Sequence, residues 1–257
     1  MAELIQGRWD PGLTASPQPL YKQVKQQVIQ ALASGEWKPG QVIPSEHKLA
    51  QRFGVAVSTV RAAIGELVAA KILVRKQGKG TFVPLHNNQH AIYKYFHVVR
   101  NDGFKELPLS ELLSVKQAKA DARVAKLLQL PQDAKSRAIL RLTNLLTVSR
   151  TPIVLSYIQV PTALFPGLSA KMVREVGMTL YAVYQIRYGI SIIKTIERVT
   201  AAKAEAEDAR ILCIRKGEPV LEIERLAYTF NGVPVEVRRS RVRTDQYHYL
   251  LTQGGEE

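Results

Sequence analysis

Residues 19–83 pass through three short apolar-striped segments, each with its own stop, and end in a glycine-rich hairpin pattern. No other stretch restricts the fold as tightly. After Pro19, the residues Leu20, Val24, Val28 and Leu32 recur at four-residue spacing, which predicts a helix with one apolar stripe that Gly35 is suited to end. Trp37-Lys38-Pro39-Gly40 reads as a turn. Ser45 stands where an N-cap belongs, Leu49, Ala50 and Phe53 form the buried side of a short second helix, and Gly54 ends it tightly. A third helix is expected over 57–70, with Val60, Ile64, Leu67 and Val68 inward. Two strands, 72–75 and 81–83, flank Lys76-Gln77-Gly78-Lys79-Gly80. This order is the layout of a winged helix-turn-helix.

In that layout the N-terminal end of the third helix, with Val57, Ser58, Thr59 and Arg61, is the part that enters a major groove. The wing glycines, Gly78 and Gly80, permit close approach to a phosphate backbone, with Lys76, Gln77 and Lys79 beside them. The run PLYKQVKQQVIQALASGEWKPGQVIPSEHKLAQRFGVAVSTVRAAIGELVAAKILVRKQGKGTFV resembles the DNA-binding domain of GntR transcription regulators over about 65 residues. Arg61, Gln77, Gly78 and Gly80 match that pattern. The chain departs from it at His47, where arginine is usual after Pro-Ser-Glu, and at Ala56 and Val57, where serine then arginine is usual. Val57 supplies no guanidinium fork for a guanine. The resemblance therefore implies a DNA-contacting set of Ser45, His47, Val57, Ser58, Thr59, Arg61 and the wing residues 76–80, with an altered half-site.

The 257 residues leave room for a second domain with its own core. Lys and Arg number 36 against 22 Asp and Glu, a net charge of +14 that favours a polyanionic partner such as double-stranded DNA. The excess is spread over both halves of the chain, so the motif carries the DNA expectation. A single cysteine, Cys213, allows no internal disulfide and no zinc cluster, which fits a reducing cytoplasm. It reads as a small apolar residue in a helix ending near Leu212. No apolar run approaches the ~20 residues of a membrane span, and the N-terminal residues lack a signal-peptide pattern, so a cytoplasmic protein without membrane contact is expected. Residues 85–91 are polar and turn-rich, and a linker is placed there between domains 1–84 and 92–257. His86 and His90 have the spacing of a helical metal pair, but without a third ligand a solvated linker is the simpler account.

Beyond the linker, strand patterns fall at 92–99, 112–117, 138–148, 153–160, 191–201, 220–229 and 233–242, and helical patterns at 122–130, 179–188 and 203–212. There is no glycine-rich phosphate loop, which argues for an α+β class. Asn231-Gly232 is the strongest hairpin signal, suited to a type I′ turn, and Ser149-Arg150-Thr151-Pro152 is a weaker one.

This region resembles the UTRA effector-binding domain of the HutC subfamily of GntR regulators. The resemblance rests on the strand ILRLTNLLTV, Val160-Pro161, Thr179-Leu180-Tyr181 with Tyr188-Gly189, Gly217-Glu218-Pro219 with Arg225, and Pro234-Val235-Glu236 leading to Arg243-Thr244-Asp245. It implies a chorismate-lyase-like fold with a mostly antiparallel sheet, one small-molecule pocket per subunit and a homodimer. Arg141, Thr179, Tyr181 and Glu236 match ligand contacts of the family. Arg141 could serve as a forked donor, Thr179 at a helix N-terminus and Glu236 as an acceptor. Equally, Arg141 and Glu236 could pair with other charges and Tyr181 could be core. Members that bind phosphorylated sugars carry a second arginine and a carboxylate where this chain has Thr143 and Ser156. Tyr95-Phe96-His97 replaces their hydroxyl-bearing segment. The implied effector is an unphosphorylated metabolite, such as a carboxylate, held between Arg141 and an aromatic wall.

His97, Arg100 and Asp102 could suggest acid/base chemistry, but an Asn101-Asp102-Gly103 turn after a strand accounts for them. No nucleophile elbow, metal-ligand cluster or nucleotide loop is present, and no cofactor is expected. The expected protein is a ligand-responsive DNA-binding transcription regulator of the repressor type. A constitutive DNA binder with a vestigial sensor domain, or an enzyme on the chorismate-lyase-like fold, remains the alternative; ligand-induced stabilisation or turnover would separate them.

Overall fold

The computed structural model describes residues 18–85, 95–103, 106–131, 137–176 and 179–251. The chain divides into two compact units, Met1–Pro84 and Leu85–Glu257. Apart from Leu85, the expected linker with His86 and His90 lies outside the described residues.

In the first unit, helix α1 (Leu20–Ala33) buries Val24, Val28, Ala31 and Leu32. Helix α2 (Glu46–Phe53) starts where the Ser45 side chain accepts the Lys48 N–H and stops at Gly54, whose φ of +64° a side chain would strain. Helix α3 (Val57–Ala69) buries Val60, Ala63, Ile64 and Leu67. Ala63 joins the inward face, which runs i, i+3, i+4, i+7 from Val60, and Val68 at its end is half-buried. Strands β1 (Val74–Lys76) and β2 (Gly80–Phe82) pair antiparallel, and Val42 adds a bridge to Phe82. That bridge explains Gly80: its φ is +107°, and a Cβ there would lie 3.0 Å from Val42 Cγ2.

The second unit is built on a six-stranded sheet, antiparallel throughout, in the order β4-β5-β6-β9-β8-β7. Its strands are β4 (Leu109–Lys119), β5 (Ala138–Val148), β6 (Thr151–Pro161), β7 (Lys194–Lys203), β8 (Pro219–Tyr228) and β9 (Pro234–Arg243). A separate ribbon pairs β3 (Val98–Arg100) with β10 (Tyr247–Tyr249). Helices α4 (Ala122–Leu127), α5 (Ala170–Val176), α6 (Leu180–Tyr188) and α7 (Ala206–Leu212) cover the sheet. The pleat sends successive side chains to opposite faces. Leu140, Leu142, Ile158 and Val160 thus join the main core with Phe165, Val173 and Tyr184. On the other face Ile139 packs on Val124 and Leu128, while Leu145 and Leu155 meet Leu212.

Both expected hairpins form, with their tightness exchanged. Ser149 and Arg150, at φ +47° and +65°, are the only residues between the paired Val148 and Thr151, the geometry of a two-residue type I′ loop. Asn231 and Gly232 also have positive φ, but buried Phe230 is drawn into the loop and lengthens it by one residue. The turn at 101–103 closes with the Gly103 N–H donating to the Arg100 carbonyl. Cys213 departs from expectation: it is an exposed left-handed cap at φ +55°, beyond the end of α7. Helix α5 and strand β10 had no clear signal, being seven and three residues long.

Candidate functional site

On the first unit, α2 and α3 bring Glu46 and Arg61 together. Arg61 Nε donates to Glu46 Oε2 at 2.9 Å, and Arg75 Nη2 donates to Glu46 Oε1 at 2.9 Å. One carboxylate thereby holds a recognition-helix arginine beside a wing-strand arginine, and Arg61 keeps its two terminal amino groups beyond that bond. Ser45, His47 and Ser58 are exposed beside them, and Val57 and Thr59 are half-buried. Ala56 gives α3 no side-chain cap, and while the Thr59 N–H donates to the Ala56 carbonyl, the N–H groups of Val57 and Ser58 are the ones placed to meet a phosphate. The wing tip, Gln77, Gly78 and Lys79, is exposed, and Lys76 Nζ lies 4.9 Å over the Phe82 ring. Arg75 was not foreseen. Its role depends on a contact with a residue 29 positions earlier, which no local pattern reveals.

In the second unit a cleft opens on the sheet face that also carries Leu142, lined by Tyr95, Phe96, Pro108, Thr179, Leu180 and Tyr181. Its charged floor is Arg225 and Arg238. They are paired across β8 and β9, and Glu197 on β7 is the next residue in the same row. Each arginine has its own carboxylate. Arg238 forks onto Glu236, Nε to Oε1 at 2.8 Å and Nη2 to Oε2 at 3.0 Å. Tyr181 and Tyr184 hydroxyls donate to the same two oxygens, each at 2.9 Å. Arg225 Nε pairs with Glu197, and its Nη2 donates to the Tyr95 carbonyl.

Burial, then the Glu236 charge, pushes the Tyr181 hydroxyl up to about 12, so it remains a donor at neutral pH. Burial works against the charge on Arg238, but Glu236 outweighs it and holds the guanidinium above its ordinary range. Thr179 caps α6 by accepting the Ala182 N–H, which brings the positive end of that helix to the cleft wall.

The expected effector set divides. Phe96, Thr179 and Tyr181 line the cleft. Arg141 does not: it is exposed and points to the opposite face, because Leu142, Asn144 and Leu146 hold the inward phase of β5. A shift of one residue in an alternating strand makes that difference, and Thr143 is displaced with it, bonded to Ser114. Glu236 is fully buried behind the floor, where both oxygens are already engaged, so it positions Arg238. Ser156 is buried against Ser240. His97 packs edge-on against Tyr249, and burial lowers its pKa against the pull of Glu197. Arg225, Arg238, Asn144 and Ser110 were missed as cleft residues. Only the two-residue spacing of Glu236 and Arg238, which puts both on one face, was a readable signal.

The profile of bacterial regulatory proteins of the gntR family matches residues 20–83, and that of the UTRA domain matches residues 106–248. The chain belongs to the GntR family of transcriptional regulators and carries a UTRA domain. The transcriptional repressor NagR of Bacillus subtilis is 28% identical over 241 residues, 91% of this chain and 96% of that protein. The mannosyl-D-glycerate transport/metabolism system repressor MngR of Escherichia coli is 28% identical over 236 residues, 91% of this chain and 95% of its own length. Among solved structures, the ligand-binding domain of a GntR-family regulator from Bordetella bronchiseptica superposes with a TM-score of 0.58 at 26% identity, covering 62% of this chain and 98% of that one.

Proposed function

We propose that this protein is a cytoplasmic homodimeric repressor of the HutC type, whose α3 and wing bind a two-fold operator and whose grip is set by an unphosphorylated carboxylate metabolite in the cleft. The boundaries that go with this are a DNA-binding domain at 1–84, a linker at 85–91 and an effector and dimerisation domain at 92–257. A two-fold site requires two recognition helices about one DNA turn (~34 Å) apart, hence two copies.

The observation that carries the effector class is the charge balance of the floor: Arg225 and Arg238 are matched by Glu197 and Glu236. A monoanion can accept from the guanidinium N–H donors not used in those pairs and from the end of α6. A phosphate dianion would bring a second buried charge without a counter-ion, a costly arrangement. The name of MngR refers to a glycerate, itself a carboxylate.

The same arginine offers a route to the DNA-binding unit. Arg225 holds the carbonyl of Tyr95, the first described residue after the linker, and the Tyr95 hydroxyl donates to the Ile192 carbonyl at 2.6 Å. A ligand that draws on Arg225 changes the anchor from which the linker departs, and different affinities for the two arrangements are what an effector needs to alter DNA binding.

Thermal-shift titration with matched carboxylates and phosphate monoesters tests the reading. Stabilisation by carboxylates and not by the phosphates is expected; stabilisation by phosphates alone would reverse the assignment.

A further inference from the structure

The cleft has two chemically different ends, and the sheet register sets them apart. Arg225 and Arg238 form one end on β8 and β9. Asn144 on β5 is level with Ser240, through the pairs Asn144↔Ser156 and Ser156↔Ser240, and so lies two residues along from Arg238. With ~4.8 Å between strands and ~3.3 Å per residue, the two Cα atoms are about 12 Å apart. Asn144 is 1% exposed and lines the cleft. Its Oδ1 accepts the Ser110 hydroxyl at 3.1 Å, which fixes the amide with both Nδ2 donors and one Oδ1 lone pair still to be used. Buried donors call for an acceptor, and at a cleft wall a ligand can supply it. No acidic side chain is among the described residues of the lining, so this end holds no counter-charge for an ammonium group.

We propose that Asn144, oriented by Ser110, is a second subsite that reads a neutral hydrogen-bond acceptor at the far end of a ligand whose carboxylate sits on Arg225 and Arg238. This rests on the carboxylate reading above and narrows it. The effector is an elongated acid with a carbonyl, ether or hydroxyl oxygen opposite its carboxylate, and compact or purely alkyl acids bind less well.

Calorimetric titration of the full chain with two matched ladders tests it: linear alkyl carboxylates, and linear carboxylates of equal length ending in a methyl ester. At the chain length that spans the cleft, the ester binds about tenfold more tightly than its alkyl partner. Asn144→Leu removes that preference and leaves the alkyl series unchanged. Asn144→Asp, which replaces donors by acceptors, turns the preference against the ester. Equal affinities of the two ladders in the wild type, with Arg238→Met still abolishing both, would overturn the subsite and leave the carboxylate reading standing. An equal loss for both ladders in Asn144→Leu would mark the residue as structural and overturn the subsite as well. Failure of both ladders to bind would remove the carboxylate reading, and the subsite with it.

Discussion

Arg225 and Arg238 stand directly opposite one another on β8 and β9, yet each guanidinium is held by a different carboxylate, Glu197 on the neighbouring strand and Glu236 two residues before Arg238. Like charges facing across a ladder repel, so the arrangement depends on those two acids. Glu236→Gln leaves the Arg238 charge buried without a counter-ion and is expected to lower stability by about 3–5 kcal/mol. Urea unfolding measures this, and an unchanged midpoint would mean that the pair is not coupled. Arg141→Ala, on the far face, is expected to change neither stability nor ligand response.

In the DNA-binding unit, Arg61→Ala should weaken specific operator binding by roughly 1–3 kcal/mol. Val57→Arg restores a forked donor and should shift the selected sites toward guanine at the facing position. Site selection with the purified variants reads both effects. An unchanged logo for Val57→Arg would remove the half-buried Val57 from the base-reading surface.

Replacing Lys76 and Lys79 together is expected to flatten the dependence of log affinity on log salt by up to ~2 units, about one for each phosphate that a lysine neutralises. Lys76 is partly committed to the Phe82 ring, so Lys79→Ala alone should account for more of the change than Lys76→Ala. Fluorescence anisotropy across a salt series gives the slopes.

The Tyr181 hydroxyl has an ordinary value of 10.0, raised in the fold to about 12 chiefly by burial and then by Glu236. The folded state therefore keeps this proton longer than the unfolded chain. Its contribution is complete below pH 10 and is lost as pH rises toward 12, at up to ~1.4 kcal/mol per pH unit for one proton. Tyr181→Phe should make the alkaline fall of the unfolding midpoint shallower; an identical fall would assign the proton elsewhere.

Local pattern made the winged head legible almost residue by residue, because Ser45 and Gly54 each meet a requirement set by their immediate neighbours. The strand at 138–148 was also legible from end to end. Which of its faces looks into the cleft was not. Arg141 and Leu142 differ by one step, and the choice is made by packing against α5 and α6, elements far along the chain. Arg238 was hidden for the same reason, since its meaning lies in the row it shares with Arg225 and Glu197. The ribbon of β3 and β10 joins positions about 150 residues apart and is too short to show a period.

A ligand on the arginine floor is proposed to govern DNA affinity. Anisotropy of an operator fragment, recovered by selection with the wild-type protein and titrated with the tightest-binding carboxylate, tests this on the wild type and on the double variant Arg238→Met/Glu236→Gln, which leaves no buried charge unpaired. The variant is expected to bind the fragment as the wild type does without ligand, and the carboxylate to change DNA affinity only in the wild type. A variant that responds like the wild type would contradict the proposal.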